Sequence, residues 1–113
     1  MPGRSRPLNV VDESRLEGAL TFLSETDEAY AQAKTTLLRR EILCKRVRAR
    51  IFIEGTGSVD ARKAAAEGHS EVIAADEDYV EATLEFERLK AKRARAEIVI
   101  EVFRTLEASR RKA

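Results

Sequence analysis

Hydrophobic residues recur at seven-residue intervals along two long stretches of the chain, residues 12–54 and 70–110. Both stretches are rich in Ala, Leu, Glu, Lys and Arg, the residues that favour helix formation. Apolar residues at heptad spacing lie along one side of a helix, where a partner helix can bury them. The first stretch therefore predicts a long helix whose buried row is Leu16, Leu23, Tyr30, Leu37, Cys44 and Ile51.

The second stretch carries two rows of this kind, and Arg93 interrupts the first of them at a single position. Sustained heptads on both stretches predict two long helices that pack as an antiparallel, coiled-coil-like hairpin with a short connector. Strand-favouring runs are short and lie inside the helical pattern, so the predicted fold class is all-α. The two rows are Val72, Tyr79, Phe86 and Ile100, and Ala75, Ala82, Leu89, Ala96 and Phe103.

Helix-breaking residues set the boundaries between these elements. Both prolines precede Leu8, and three of the five glycines lie within residues 55–69. We interpret residues 1–11 as a flexible N-terminal segment, residues 55–69 as a turn or short helical connector, and the whole chain as one helical domain. Asp12 or Asn9 is predicted to cap the first long helix and Ser70 the second, because such side chains accept hydrogen bonds from free backbone N–H groups.

The composition argues against several classes of function. The 113 residues include one Cys, one His and no Trp, so a catalytic triad, a His-based metal site or a zinc knuckle lacks the side chains it needs. We therefore expect no enzyme activity, no metal and no cofactor. The longest uncharged run, Gly18 to Ser24, is far shorter than the roughly 20 residues of a membrane span. With a single Cys and no secretory signal pattern, we expect a cytoplasmic protein without a membrane partner.

The net charge of +1 hides four alternating blocks of charge. Residues 12–28 and 54–87 are acidic, whereas residues 34–50 and 88–113 are basic. An antiparallel hairpin sets each basic block opposite an acidic one, and complementary charges of this kind fix orientation and register in coiled coils. The first interpretation of the charges is therefore structural.

A second interpretation concerns the end of the first helix. Four bases and one aromatic residue are concentrated just before the glycine turn. A cationic cluster beside an aromatic ring is typical of single-stranded nucleic-acid binding, because the cations bind phosphates and the ring stacks on a base. The residues alone leave both interpretations open. The candidate DNA-binding residues are Lys45, Arg46, Arg48, Arg50 and Phe52.

Several short motifs follow one another over residues 31–112: Arg39-Arg40-Glu41, Val47-Arg48-Ala49-Arg50-Ile51, a glycine turn, Ala75-Asp76-Glu77-Asp78, and a basic, Ile-rich C-terminal helix that ends in Leu106-Glu107-Ala108. This order resembles that of the phage UvsY recombination mediators. Members of that family are small helical proteins that bind single-stranded DNA and assemble into ring-like homo-oligomers. They help to load a RecA-like recombinase onto strands covered by single-strand-binding protein, so the resemblance implies these partners here.

One motif of the family carries its DNA-binding role. Its Lys-Ala-Arg element corresponds to Arg48-Ala49-Arg50 in this sequence. Arg in place of Lys at position 48 keeps the charge and adds a planar fork that can bind phosphate through two N–H groups. The segment between this element and the glycine turn is one residue shorter than in the family, so the family pattern does not fix how Phe52 is presented.

The C-terminal part of the second helix is apolar around more of its circumference than a two-row packing surface requires. A hairpin of only two helices cannot bury such a helix on several sides. Either N-terminal residues 8–23 cover it or other subunits do, and we favour other subunits in a homo-oligomer. The predicted oligomerisation residues are Ile98, Ile100, Val102, Phe103 and Leu106.

The residues and the resemblance together predict a non-enzymatic, single-stranded DNA-binding recombination mediator. The alternative is a coiled-coil scaffold or adaptor, for example in phage assembly, whose charges serve only helix pairing. A small helical regulator of another protein is a third possibility. Binding to oligo(dT) distinguishes the recombination mediator from the scaffold.

Overall fold

The computed structural model of the protein describes residues 11–112, which form three α-helices and no strand. The helices are α1 (Glu13–Glu54), α2 (Val59–Glu67) and α3 (Ser70–Lys112). The predicted all-α fold class is confirmed, and the connector contains a short helix. The helix α1 begins one residue after its predicted start, and α3 extends two residues past its predicted end. Apart from Val11, which is buried, the segment 1–11 and the alternative cap Asn9 lie outside the described residues.

Side-chain caps explain where two of the helices begin. The Asp12 carboxylate accepts a hydrogen bond from the Arg15 N–H at 2.9 Å, so Asp12 caps α1 as predicted. Ser58 does the same for α2, because its Oγ accepts from the Ala61 N–H at 3.1 Å. Between α1 and α2 the backbone turns at Gly57, whose φ of 98° favours glycine.

The start of α3 differs from the prediction. His69, not Ser70, supplies the capping acceptor, because its Nδ1 accepts a hydrogen bond from the Glu71 N–H at 3.1 Å. The His69 carbonyl also accepts from the Ile73 N–H at 3.0 Å, as a residue at the cap position does. Ser70 already lies inside the helix, which is why its side chain does not take this role.

The described residues divide into two compact units, and each contains part of α1 and part of α3. The first unit comprises the described residues up to Glu28 together with those from Lys90 onward. The second unit is Ala29–Leu89 and includes α2. Its central cluster is Ile51 from α1, Ala66 from α2 and Val72 from α3, with Val47 packed against it.

The contacts within the second unit show that α1 and α3 are antiparallel there. In the second unit, the Tyr30 and Phe86 rings stack with their centres 5.3 Å apart, and the Cys44 thiol donates to the Ala75 carbonyl at 3.0 Å. Residue numbers therefore rise along α1 as they fall along α3. Every residue of the three predicted rows is buried or half-buried, so the predicted packing surface is confirmed.

Arg93 can occupy a position in these rows because its guanidinium has hydrogen-bond and ion-pair partners inside the first unit. Its guanidinium donates to the Leu23 carbonyl at 2.9 Å, to Thr26 Oγ1 at 2.7 Å and to the Asp27 carboxylate at 2.8 Å. A half-buried cation is tolerated where its N–H groups are satisfied in this way. The interruption in the heptad pattern is thus a polar link between α1 and α3.

The predicted oligomerisation residues differ in how far the chain itself covers them. Ile100, Val102 and Phe103 are half-buried, whereas Ile98 and Leu106 are exposed. Ile100 and Phe103 belong to the packing rows as well, so intramolecular contacts account for part of the apolar circumference. No helix within residues 11–112 has the length and apolar character needed to cross a bilayer.

Candidate nucleic-acid interface

The five candidate DNA-binding residues all lie in the last turns of α1, but on different sides of it. At 3.6 residues per turn, Lys45, Arg48 and Phe52 share one side of the helix. Arg46 and Arg50 lie on another side. The structure therefore brings three of the five predicted residues together and separates two from them.

Lys45, Arg48 and Phe52 line a cleft of about 490 Å³ where the end of α1 meets α2. A cleft of this size is within the usual range for binding sites of small ligands. The remaining lining residues are Ala49 and Ile53 from α1 and Lys63, Ala66 and Glu67 from α2. The cleft thus has an apolar floor with cationic side chains at its rim.

Sequence reasoning missed the contribution of α2 to this site. Lys63 and Ala66 lie close to α1 only because the glycine turn folds α2 back against it. One signal was available in the sequence. Arg62 and Lys63 are the only Lys or Arg residues within the acidic block 54–87, and they lie shortly after the glycine turn.

Arg48 is bound by carboxylates from two other helices. Its Nε donates to Glu67 of α2 at 2.8 Å, and its Nη2 donates to Asp76 of α3 at 2.9 Å. The hydrogen bonds to Glu67 and Asp76 raise the pKa of Arg48 further above its usual value. The guanidinium is therefore always charged, and its charge is neutralised within the protein.

Arg50 is also paired within the protein. It makes an ion pair with Glu71 at the start of α3 and a second one with Glu54 at 3.3 Å. Arg40 approaches Asp78 at 3.9 Å. These contacts support the structural interpretation of the charges, because bases of α1 pair with acids of α2 and α3.

The two lysines of the cleft make fewer ion pairs than Arg48 and Arg50 do. Among residues 11–112, the one ion-pair partner of Lys45 is Glu41 on its own helix, at 3.5 Å, and the lysine side chain is exposed. Lys63 has no ion-pair partner anywhere in the described part of the chain. Both ammonium groups are therefore available at the rim of the cleft for an anionic ligand.

Phe52 is half-buried, and its ring is held by a cation above it. The Cζ atom of Arg62 lies 6.0 Å from the ring centre, a distance typical of a cation–π contact. Ile53 beside it is largely exposed. The cleft therefore presents a positioned aromatic ring next to an uncovered aliphatic side chain.

Cys44 lies near this region but takes no part in it. The side chain is buried, as predicted for a small apolar residue of the packing surface. Burial raises the pKa of its thiol, and neighbouring Asp76 adds to that effect. Since the thiolate is the reactive form, Cys44 is poorly suited to nucleophilic chemistry.

Within the described range 11–112, no three His, Cys, Asp or Glu side chains come together as a metal site requires. Compared with protein-family models, curated proteins and solved structures, the chain gives no match in any of the three.

Proposed function

We propose that the protein is a non-enzymatic, single-stranded DNA-binding protein and that the strand binds at the cleft between α1 and α2. The observation that carries this proposal is that one cleft is lined by Phe52 and Ile53 together with Lys45 and Lys63, whose ammonium groups are available. Proteins that bind single strands combine the same two components, a cationic track for phosphates and an apolar platform for bases.

The apolar floor of the cleft favours a single strand over a duplex. In a duplex the bases are stacked on each other, and their faces are not accessible to protein side chains. An unpaired base can enter the cleft and contact Phe52, and such stacking contributes about 1–3 kcal/mol per base. Duplex DNA can use only the ammonium groups.

The proposed role in recombination rests on the motif order shared with the UvsY family. On that basis the protein loads a RecA-like recombinase onto strands covered by single-strand-binding protein, acting as a homo-oligomer in the cytoplasm. The Arg48-Ala49-Arg50 element has a modified part in this proposal. Its arginines already bind carboxylates. A phosphate can therefore bind these arginines only if it displaces a carboxylate, which is that of Glu67 or Asp76 at Arg48 and that of Glu54 or Glu71 at Arg50.

The test is a titration of the protein with oligo(dT) and with a duplex of equal length over a range of salt concentrations. We expect tighter binding to oligo(dT). The double variant Lys45→Gln/Lys63→Gln should reduce the slope of log K against log[salt] by about 1.4, since each lost phosphate contact is worth roughly 0.7 on single strands. Neither lysine links two helices, so thermal unfolding should be unchanged.

The matched control is Arg111→Gln/Lys112→Gln, which removes the same charge from the exposed last turn of α3. This control should keep the wild-type salt slope. Equal effects of the two double variants would show that only net charge matters and that the cleft is not the site. A wild-type protein that does not bind oligo(dT) would contradict the proposed function itself.

A coiled-coil scaffold is the second candidate function, and the arginine pairing favours it. Arg48, Arg50 and Arg93 each link α1 to another helix through a carboxylate or backbone oxygen. A protein whose charges serve only this purpose needs no nucleic acid. If oligo(dT) does not bind, the scaffold function takes first place.

A further inference from the structure

The second unit carries two apolar surfaces that no part of residues 11–112 covers. One lies on α3, where Ile73, Val80 and Leu84 are between 45% and 67% exposed. The other lies on α1, where Leu38, Ile42 and Leu43 are between 41% and 52% exposed. Clustered exposed side chains of this size usually mark an interaction surface.

The surface on α3 is apolar and acidic. Its three apolar residues are seven and four residues apart, which places them on one side of the helix, opposite the side that packs on α1. Glu77 and Glu81 line the same shallow groove. Neither carboxylate has an ion-pair partner among the described residues. We name Ile73, Glu77, Val80, Glu81 and Leu84 the acidic stripe.

The surface on α1 is apolar and basic. Leu38, Ile42 and Leu43 lie on the side of α1 that faces away from α3, and Arg39 and Arg46 lie among them. Within the described ranges neither arginine has a carboxylate partner, in contrast to Arg40, Arg48 and Arg50. We name Leu38, Arg39, Ile42, Leu43 and Arg46 the basic stripe.

We propose that the acidic stripe of one copy packs on the basic stripe of a second copy. The two stripes have opposite charge and the same apolar character. Their lengths also correspond, at about 16 Å for the acidic and about 12 Å for the basic stripe at 1.5 Å per residue. Packing them together buries six exposed aliphatic side chains and gives two glutamates and two arginines the partners that each lacks within residues 11–112.

This contact joins two different surfaces, so in a pair of copies one retains a free basic stripe and the other a free acidic stripe. Such head-to-tail association continues until it closes into a ring or extends as a filament. The inference does not rest on DNA binding, because none of the residues lining the cleft belongs to either stripe. It also differs from the predicted C-terminal oligomerisation surface around Ile98 and Leu106.

Charge reversal tests the proposal by sedimentation velocity without DNA. Glu77→Lys/Glu81→Lys and, separately, Arg39→Glu/Arg46→Glu should each raise the midpoint concentration of assembly at least about tenfold, because like charges then face each other. The chain that carries all four reversals should assemble within about threefold of the wild-type midpoint. All four residues are exposed, so circular dichroism should show unchanged helicity.

The matched control is Glu25→Lys/Glu85→Lys, which makes the same change in net charge as Glu77→Lys/Glu81→Lys at exposed acids outside the stripes. It should assemble as the wild type does. The proposal is overturned if the wild type is a monomer at all concentrations, or if the fourfold variant fails to recover assembly. It is also overturned if only one of the two reversed pairs has an effect.

Cross-linking then tests which surfaces meet. In a Cys44→Ala background, Ile42→Cys and Val80→Cys are prepared as separate proteins and treated with a short bis-maleimide. A covalent dimer should form when the two proteins are mixed. Efficient dimer formation by either protein alone would indicate a symmetric contact between like stripes and would overturn the proposal.

Discussion

At the scale of single residues, two glycines illustrate how position decides the effect of the same side chain. Gly18 lies inside α1, and a Cβ added there meets no atom within 4 Å. Gly57 lies in the turn after α1 with a φ of 98°, in a region of backbone conformation that other residues avoid. The first glycine weakens a helix without a compensating role, whereas the second makes the turn possible.

Alanine at these two positions should therefore have opposite effects. Gly18→Ala should raise the free energy of unfolding by about 1 kcal/mol, since Ala favours the helix by that amount. Gly57→Ala should lower it by about 1–2 kcal/mol, because the left-handed conformation is strained for any residue with a Cβ. Urea unfolding followed by circular dichroism measures both, and effects of the same sign would contradict this account.

At the scale of helices, Arg48 is the residue that joins all three elements. Through Glu67 it links α1 to α2, and through Asp76 it links α1 to α3. Its side chain also lines the cleft where the strand is proposed to bind. The carboxylates that fix the helices therefore compete with phosphate for the same guanidinium.

Removing one of these carboxylates should strengthen DNA binding. Glu67→Gln takes a negative charge from the cleft and leaves Arg48 paired with Asp76 alone. We expect oligo(dT) affinity to rise about twofold to fivefold, and the free energy of unfolding to fall by less than about 1 kcal/mol, as is usual for an exposed ion pair. Fluorescence titration and thermal unfolding measure the two quantities.

Glu85→Gln makes the same change in charge at an exposed position of α3 away from the cleft, and serves as the control. It should change oligo(dT) affinity by less than Glu67→Gln does. If the two variants bind equally well, the gain is a general effect of net charge. If neither differs from the wild type, Arg48 has no contact with the strand.

The helices and their packing rows could be predicted from the sequence, because the heptad spacing of apolar residues shows directly which side of a helix is buried. The cleft did not follow, since its composition depends on how α2 folds back onto α1. The sequence shows that bases are dense between Lys45 and Arg50. It does not show that Glu67 and Glu71 reach Arg48 and Arg50 while Lys45 keeps an exposed ammonium group.

At the scale of the whole molecule, one chain carries both stripes and one cleft. Head-to-tail assembly would therefore present a series of identical clefts to one strand. A single cleft with two available lysines provides only modest affinity, but linking several clefts raises the effective concentration of each for a strand already bound. Assembly should then strengthen DNA binding only on strands long enough to reach several clefts.

Apolar residues of the two stripes should therefore control how the affinity for a strand depends on its length. Ile42→Gln/Val80→Gln removes apolar contacts from both stripes without changing the net charge. It should bind a strand short enough for one cleft as well as the wild type does. On a strand that reaches several clefts the wild type should bind more tightly than on the short strand, and the variant should lose at least about 100-fold of this gain in affinity. The control is Ile98→Gln/Leu106→Gln, which changes two exposed residues of the predicted C-terminal surface. Loss of the gain in this control alone would assign assembly to the C-terminal surface, and a gain retained by both variants would show that strand length acts without either contact.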